Sequence, residues 1–194
     1  IADHIVGRIE GFEARDDGAH DVRVSYADES AAGELPQFLN MLFGNSSMTP
    51  GVRVERIEPS SAILANFRGP RFGTNGLRDV LGGGDRPLLM TALKPMGLSN
   101  ENLAKIAYDC ALGGIHIIKD DHGLANQAIT DFEERVRLCT DAVARANRET
   151  GYRSVYAPNI TGPARDLEQR ARFAKEQGAG SVLYMPGLAG FDGM

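Results

Sequence analysis

The feature that most limits the fold is a change of rhythm after Pro87. From there, short apolar runs alternate with amphipathic stretches of helical spacing. In order they are "LLMTALK", "SNENLAKIAYDCALGG", "IHIIK", "TDFEERVRLCTDAVARANRETG", "SVYAPNI", "PARDLEQRARFAKEQGAG" and "SVLYMPGL". Runs joined through helices of this length predict parallel strands in βαβ units. The punctuation agrees, with Ser99 as an N-cap, Gly113 as a stop and Pro163 near the start of the third helix. Two architectures satisfy this pattern, a doubly wound sheet and the opening of an eightfold barrel. No G-x-G-x-x-G opens the first helix, which leaves a dinucleotide fold without direct support. A whole (β/α)8 TIM barrel takes roughly 250 residues, so residues 87–194 predict its first four βα units, about half of it. Such a half would expose an unpaired parallel edge. The natural chain is therefore expected to continue, and the start at Ile1 points the same way upstream.

Residues 1–68 read differently, as a small α+β unit of ferredoxin-like type, truncated at its start. "HIVGRIEGFEA" and "DVRVSYA" alternate apolar and polar positions around the turn "RDDGAH". "ESAAGELPQFLNMLFGN" places Leu35, Phe38, Leu39, Leu42 and Phe43 on one helical face and stops at Gly44-Asn45. "VRVERIE" and "ILANF" predict two further strands. Residues 69–86, rich in glycine and proline, predict a linker with one helical turn over 77–81.

Composition narrows the function. A net charge of -5 gives no basic stripe for nucleic acid, and no apolar segment is long enough for a bilayer. Cys110 and Cys139 sit in helical patterns with no C-x-x-C pair, which predicts buried thiols in a reducing cytoplasm.

The chemistry concentrates at "GGIHIIKDDHG", residues 113–123, where an apolar run ends in four ionisable groups. Charges beside a core need partners or a metal. Lys94, the stretch from Lys119 to His122, Asn159 and the segment 184–186 all fall at the carboxyl ends of predicted strands, where barrels place reactive groups. Alternation puts Ile115, Ile117, Lys119 and Asp121 on one face, the isoleucines inward and the charges at the mouth. Asp120 would face outward toward a helix partner such as Lys105. His122 would point away on a straight strand, but Gly123 permits a bend that returns it. Two chemistries suit a lysine and an aspartate here: a Schiff base on Lys94 or Lys119, or a Mg2+ site in which a carbamylated lysine becomes an oxygen ligand.

The stretch "RPLLMTALKPMGLSNENLAKIAYDCALGGIHIIKDDHGLANQ" resembles the large subunit of ribulose-bisphosphate carboxylase and its non-carboxylating relatives, the RuBisCO-like proteins. "FRGPRFGTNGLRDVLG" and "FLNMLFGN" are similar to the family's inter-domain segment and to the end of an N-terminal helix. The resemblance implies that carbamylated Lys119 and Asp121 bind Mg2+. It implies that Lys94 moves protons at the substrate's enediolate, and that Asn45 reaches the active site of a partner subunit in a homodimer or a multiple of dimers. Three departures stand out. Met96 replaces the second lysine of K-P-K, His122 replaces the glutamate of K-D-D-E, and the upstream active-site segment would lie before Ile1. His122 is thus a candidate metal ligand or acid–base group, with a merely structural histidine as the third reading, and an imidazole suits other divalent metals better than Mg2+.

The function this implies is enolisation of a phosphorylated ketose or keto-acid, leading to isomerisation, decarboxylation or carbon–carbon cleavage rather than carbon dioxide fixation. The competing expectations are a non-catalytic regulatory or structural member of the family and a Schiff-base aldolase.

Overall fold

The computed structural model describes residues 5–191 and 193, and the chain divides into two compact units, Ile1–Arg71 and Phe72–Met194. In the first unit, β1 (Arg8–Ala14) and β2 (His20–Ser25) pair antiparallel, with Ile9 opposite Val24 and Phe12 opposite Val22. The register shifts between Ile9 and Gly11. This extra residue sets Ile9 and Phe12 on the same face despite their odd spacing. At the turn, Gly18 adopts a positive φ of 81° while the Asp17 carboxylate accepts the Ala19 N–H at 3.0 Å. Helix α1 (Leu35–Phe43) opens with Pro36 in its first turn and closes at Gly44.

The two further strands predicted for this unit are not formed. Residues 52–58 have no regular secondary structure and join no ladder among the described residues. Arg53 pairs with Glu55, and Arg56 with Glu58 at 2.7 Å. Alternation fixes the faces of a strand; it does not supply a partner. The "ILANF" segment is not extended at all. Ser60 Oγ accepts the Ile63 N–H at 3.1 Å and caps the short helix α2 (Ser61–Leu64), so a local capping bond overrides the apolar run. The described sheet of this unit therefore has two strands rather than the ferredoxin-like set.

In the second unit the glycine-rich segment carries more structure than one turn. Helix α3 (Gly73–Leu81) is nine residues long and ends at Gly82. Arg78 then ties down the chain beyond it by donating to the carbonyls of Gly84 at 2.9 Å and Arg86 at 2.6 Å. Strands β3 (Met90–Leu93), β4 (Ile117–Asp120) and β5 (Val155–Ala157) form a parallel sheet in that order. Helices α4 (Asn100–Leu112), α5 (Phe132–Thr150) and α6 (Ala164–Glu176) connect and follow them. Ser99 caps α4 through the Asn102 N–H, and Asp131 caps α5 by accepting the Glu134 N–H at 2.9 Å. This is an α/β architecture with strand and helix in alternation.

The core lies between the sheet and α4 and α5. Leu93, Ile118 and Tyr156 from the strands pack with Leu103, Ala107 and Ala111 of α4 and Cys139, Val143 and Ala146 of α5. Ile118 and Asp120 are buried on this side, while Ile117, Lys119 and Asp121 line the other, half-buried face. Ile115 departs from the predicted face. It precedes the strand, where alternation no longer applies, and packs against the helix-side cluster. The predicted fourth strand shrinks to one parallel bridge, Asn159 with Leu183, supported by Leu183 N–H donating to Pro158 O at 2.8 Å. Pro186 cannot donate to a ladder and starts the short helix α7 (Pro186–Ala189) instead. Cys139 is buried, but Cys110 is only half-buried. Among the described residues no helix is long and apolar enough to cross a membrane.

Candidate active site

The site grows from the register of β3 against β4. Ala92 lies opposite Lys119 and Leu93 opposite Asp120, so Lys94 and Asp121 follow directly at the ends of neighbouring strands. Lys94 Nζ lies 3.1 Å from Asp121 Oδ2. The Asp121 side chain is 14% exposed and that of Lys94 64%. Asp121 also organises the chain beyond it. Its Oδ1 accepts the Gly123 N–H at 2.9 Å and its carbonyl accepts the Leu124 N–H at 3.0 Å, closing a tight turn. That turn brings His122 Nδ1 to 3.6 Å from Asp121 Oδ1, with the imidazole 71% exposed. The Gly123 N–H, helped by Lys94 and His122, holds the Asp121 carboxyl below the usual carboxylate range against a smaller opposing effect of burial.

Lys119 shares the face of Asp121 but donates to the Asp120 carbonyl at 3.0 Å. Met96 stands where the turn passes, its sulfur 3.4 Å from Gln127 Nε2, and Gln127 in turn donates to the Gly123 carbonyl at 2.7 Å. Asn45 belongs to the other unit, where it is exposed and opens the 3-10 turn Asn45–Met48. The structure thus gathers Lys94, Asp121 and His122, with Lys119 on the same sheet face; Asn45 is placed in its own unit.

Behind the site lies a buried polar network. Asp120 is fully buried, and its partner is Arg135 of α5 at 3.1 Å, not Lys105, which pairs with Asp109 at 2.5 Å on the helix surface. Tyr156 Oη donates to Asp120 Oδ1 at 2.7 Å and the Asn159 N–H to Oδ2 at 2.9 Å. Burial pushes the Asp120 carboxyl up, and Arg135, Asn159 and Tyr156 pull it back toward the ionised form. By its spacing alone, 130–151 is an amphipathic helix with no functional group marked out. The available signal was a charge on its apolar stripe: Arg135 lies three residues after Phe132 and four before Cys139. A cation there needs a buried partner.

Among the described residues no group of three or more His, Cys, Asp or Glu side chains could hold a metal ion. The donors therefore fit a divalent cation on one condition, that Lys119 supplies an oxygen. Asp121 is suited to the task, its carboxyl being held below the usual carboxylate range, and its Oδ2 is the atom a cation would contest with Lys94.

The family described as "Ribulose bisphosphate carboxylase large chain, catalytic domain" matches residues 73–194. The chain is 44% identical over 198 residues to a ribulose bisphosphate carboxylase-like protein 1 of Rhodopseudomonas palustris, covering 98% of this chain and 53% of that protein. It is 37% identical over 191 residues to a 5-methylthioribulose-1-phosphate isomerase of Rhodospirillum rubrum, covering 98% and 51%. The crystal structure of a Rubisco-like protein from Rhodopseudomonas palustris superposes with a TM-score of 0.86 at 42% identity, covering 97% of this chain and 54% of that one. The chain spans about half the length of these relatives. The family's match covers more than half of the chain, and the chain belongs to the ribulose bisphosphate carboxylase large-chain family, with RuBisCO-like proteins among its relatives.

Proposed function

We propose that the chain is part of a RuBisCO-like enzyme that enolises a phosphorylated ketose or keto-acid at a metal centre and does not fix carbon dioxide. The observation that carries this reading is the convergence of Lys94 and Asp121 at 3.1 Å across adjacent strand ends, with Lys119 on the same face. Carbamylated Lys119, Asp121 and His122 would hold Mg2+ or another divalent ion. Bound there, the ion would supply Lewis-acid stabilisation of a developing oxyanion.

The remaining work falls to the chain's own groups. Lys94, exposed and on a flexible stem, can hold or pass a proton at the mouth of the sheet. His122, whose ring is open to solvent beside Asp121, is the second candidate for proton transfer. Met96 leaves no cation where a carboxylase of the family has lysine, which favours enolase or isomerase outcomes over carboxylation. A Schiff base on Lys94 fares worse, because its Nζ is ion-paired to Asp121, and one on Lys119 would leave the carboxylate of Asp121 without a metal to share. Asn45 would complete the site of a partner subunit, making the working unit at least a homodimer. The two free cysteines suit a reducing cytoplasm.

The test is solvent deuterium exchange into ketose phosphates, 5-methylthioribulose 1-phosphate among them, by the full-length protein with bicarbonate and Mg2+. Metal-dependent exchange is expected, abolished in Lys119→Ala and reduced about a hundredfold or more in Lys94→Ala with metal binding retained. Exchange that persists in Lys119→Ala, or that never depends on metal, would overturn the reading.

A further inference from the structure

We infer that Arg135 is a positioning residue: its buried guanidinium, with Asn159, clamps the segment 121–130 from behind and so fixes the turn that presents Asp121 and His122. Arg135 is completely buried, and each of its nitrogens is used. Nε donates to Asp120 Oδ2 at 3.1 Å, Nη2 to the Ala125 carbonyl at 2.8 Å, and Nη1 to the Thr130 carbonyl and hydroxyl, both at 2.9 Å. Asn159 continues the pattern, its Nδ2 donating to the carbonyls of His122 at 3.2 Å and Leu124 at 2.9 Å.

Four carbonyls along this one segment are therefore held by two side chains anchored on other elements. A loop that leaves a strand normally satisfies its carbonyls with water. Here they are satisfied from the interior, so the segment has little freedom to slide. The two halves of the clamp are joined through Asp120, whose Oδ2 accepts from both Arg135 Nε and the Asn159 N–H. A further link fixes the far end of the segment, because Thr130 Oγ1 donates to Asn100 Oδ1 at 2.8 Å, and Asn100 is itself buried.

The geometry also says why an arginine is needed. Three directions must be served at once, toward Asp120, Ala125 and Thr130, and only a planar fork reaches all of them. Lysine could neutralise Asp120 but could not also hold both carbonyls. The clamp itself rests on these hydrogen bonds; its consequence for chemistry rests on the proposed roles of Asp121 and His122.

Full-length protein carrying Arg135→Met, Arg135→Lys or Asn159→Ala separates the possibilities. Asn159→Ala leaves the ion pair in place and serves if the arginine variants do not fold. Hydrogen exchange is read at the Gly123 and Leu124 amides, which close the turn, against Ala107 and Val143 in the helical core. Mn2+ binding is read in bicarbonate buffer. Exchange at Gly123 and Leu124 should rise about ten- to a hundredfold beyond any change at the core amides, the size expected for one buried donor lost. Arg135→Lys should not rescue it, and Mn2+ affinity should fall with it.

Parallel acceleration of all amides would mean a purely structural role and overturn the inference. Rescue by lysine would overturn it in favour of charge neutralisation. A loosened turn with unchanged Mn2+ affinity would overturn the positioning role. If wild type binds no Mn2+ while the turn loosens selectively, the clamp stands and the metal reading of the site fails.

Discussion

Lys94 Nζ and Asp121 Oδ2 lie 3.1 Å apart, a salt bridge that joins the ends of two adjacent parallel strands. The relationship follows from register: once Leu93 sits opposite Asp120, the next residue of each strand has its neighbour decided. Asp121 is well shielded, Lys94 is not, and solvent therefore screens the pair.

The depressed pKa of Asp121 fixes a pH dependence. An aspartate in the unfolded chain titrates near about 3.9, and the folded value lies below its ordinary range. The stabilisation is thus fully present above the unfolded pKa and is lost as pH falls through the folded one. In metal-free buffer, Asp121→Asn should be less stable than wild type by about 1 kcal/mol or less at neutral pH, given the screening. The gap should close in strong acid. Denaturant melts across the acid range check this, and a gap that widened toward acid would contradict it.

The buried thiol gives a second test. Burial, reinforced by the nearby Asp120, pushes Cys139 up to about 12. Burial also raises Cys110, which is only half-covered. Since the thiolate is the reactive form, native protein at pH 8 should be labelled slowly at Cys110 and hardly at all at Cys139, with both reacting in denaturant. Mass spectrometry of the labelled protein distinguishes the two. Faster labelling at Cys139 would mean that the core between α4 and α5 opens readily.

Much of the second unit was legible because local and long-range signals agreed there. Ser99, Gly113 and Gly151 bound helices whose apolar stripes have a sheet to cover. The first unit was less legible. Val52 and Val54 alternate with Arg53 and Glu55 as a strand should, but Ile57 falls out of phase, and an edge in space, not a pattern in sequence, decides whether a ladder forms. At the site, alternation turned Asp120 away from Asp121, as observed. It could not name the partner of Asp120. Lys105 was a plausible cation, but Asp109 one helical turn away captures it, and Arg135 arrives from α5.

Packing between α4 and α5 carries much of the second unit's core. Leu103 is fully buried in that cluster, whereas Leu112 on the same helix is 41% exposed. Leu103→Ala should cost about 2–5 kcal/mol through lost burial and the cavity left behind. Leu112→Ala should cost well under half of that. Denaturant midpoints at constant slope provide the comparison, and equal losses at both positions would argue against this core.

Under the proposed metal reading, His122 would set which ion the site prefers. With a carbamate on Lys119 and carboxylates at Asp121 and at position 122, a bound Mg2+ would leave the centre at a net charge of about -1; with neutral histidine it stands at about zero. Mg2+ favours hard anionic oxygens, while imidazole suits zinc, manganese or iron. The ring is already within 3.6 Å of Asp121 and open to solvent, so a carboxylate can be built there without disturbing the core. His122→Glu should therefore tighten Mg2+ binding about tenfold in bicarbonate buffer, a change of about 1.4 kcal/mol, and should weaken the preference for Mn2+ over Mg2+. Calorimetric titration of the full-length protein with each ion measures both effects. Unchanged Mg2+ affinity would place His122 outside the ligand set and leave proton transfer as its role. Exchange of substrate protons by His122→Gln then provides the remaining check, because glutamine keeps a polar side chain but cannot titrate, and a loss of about a hundredfold or more is expected from removing a general acid or base.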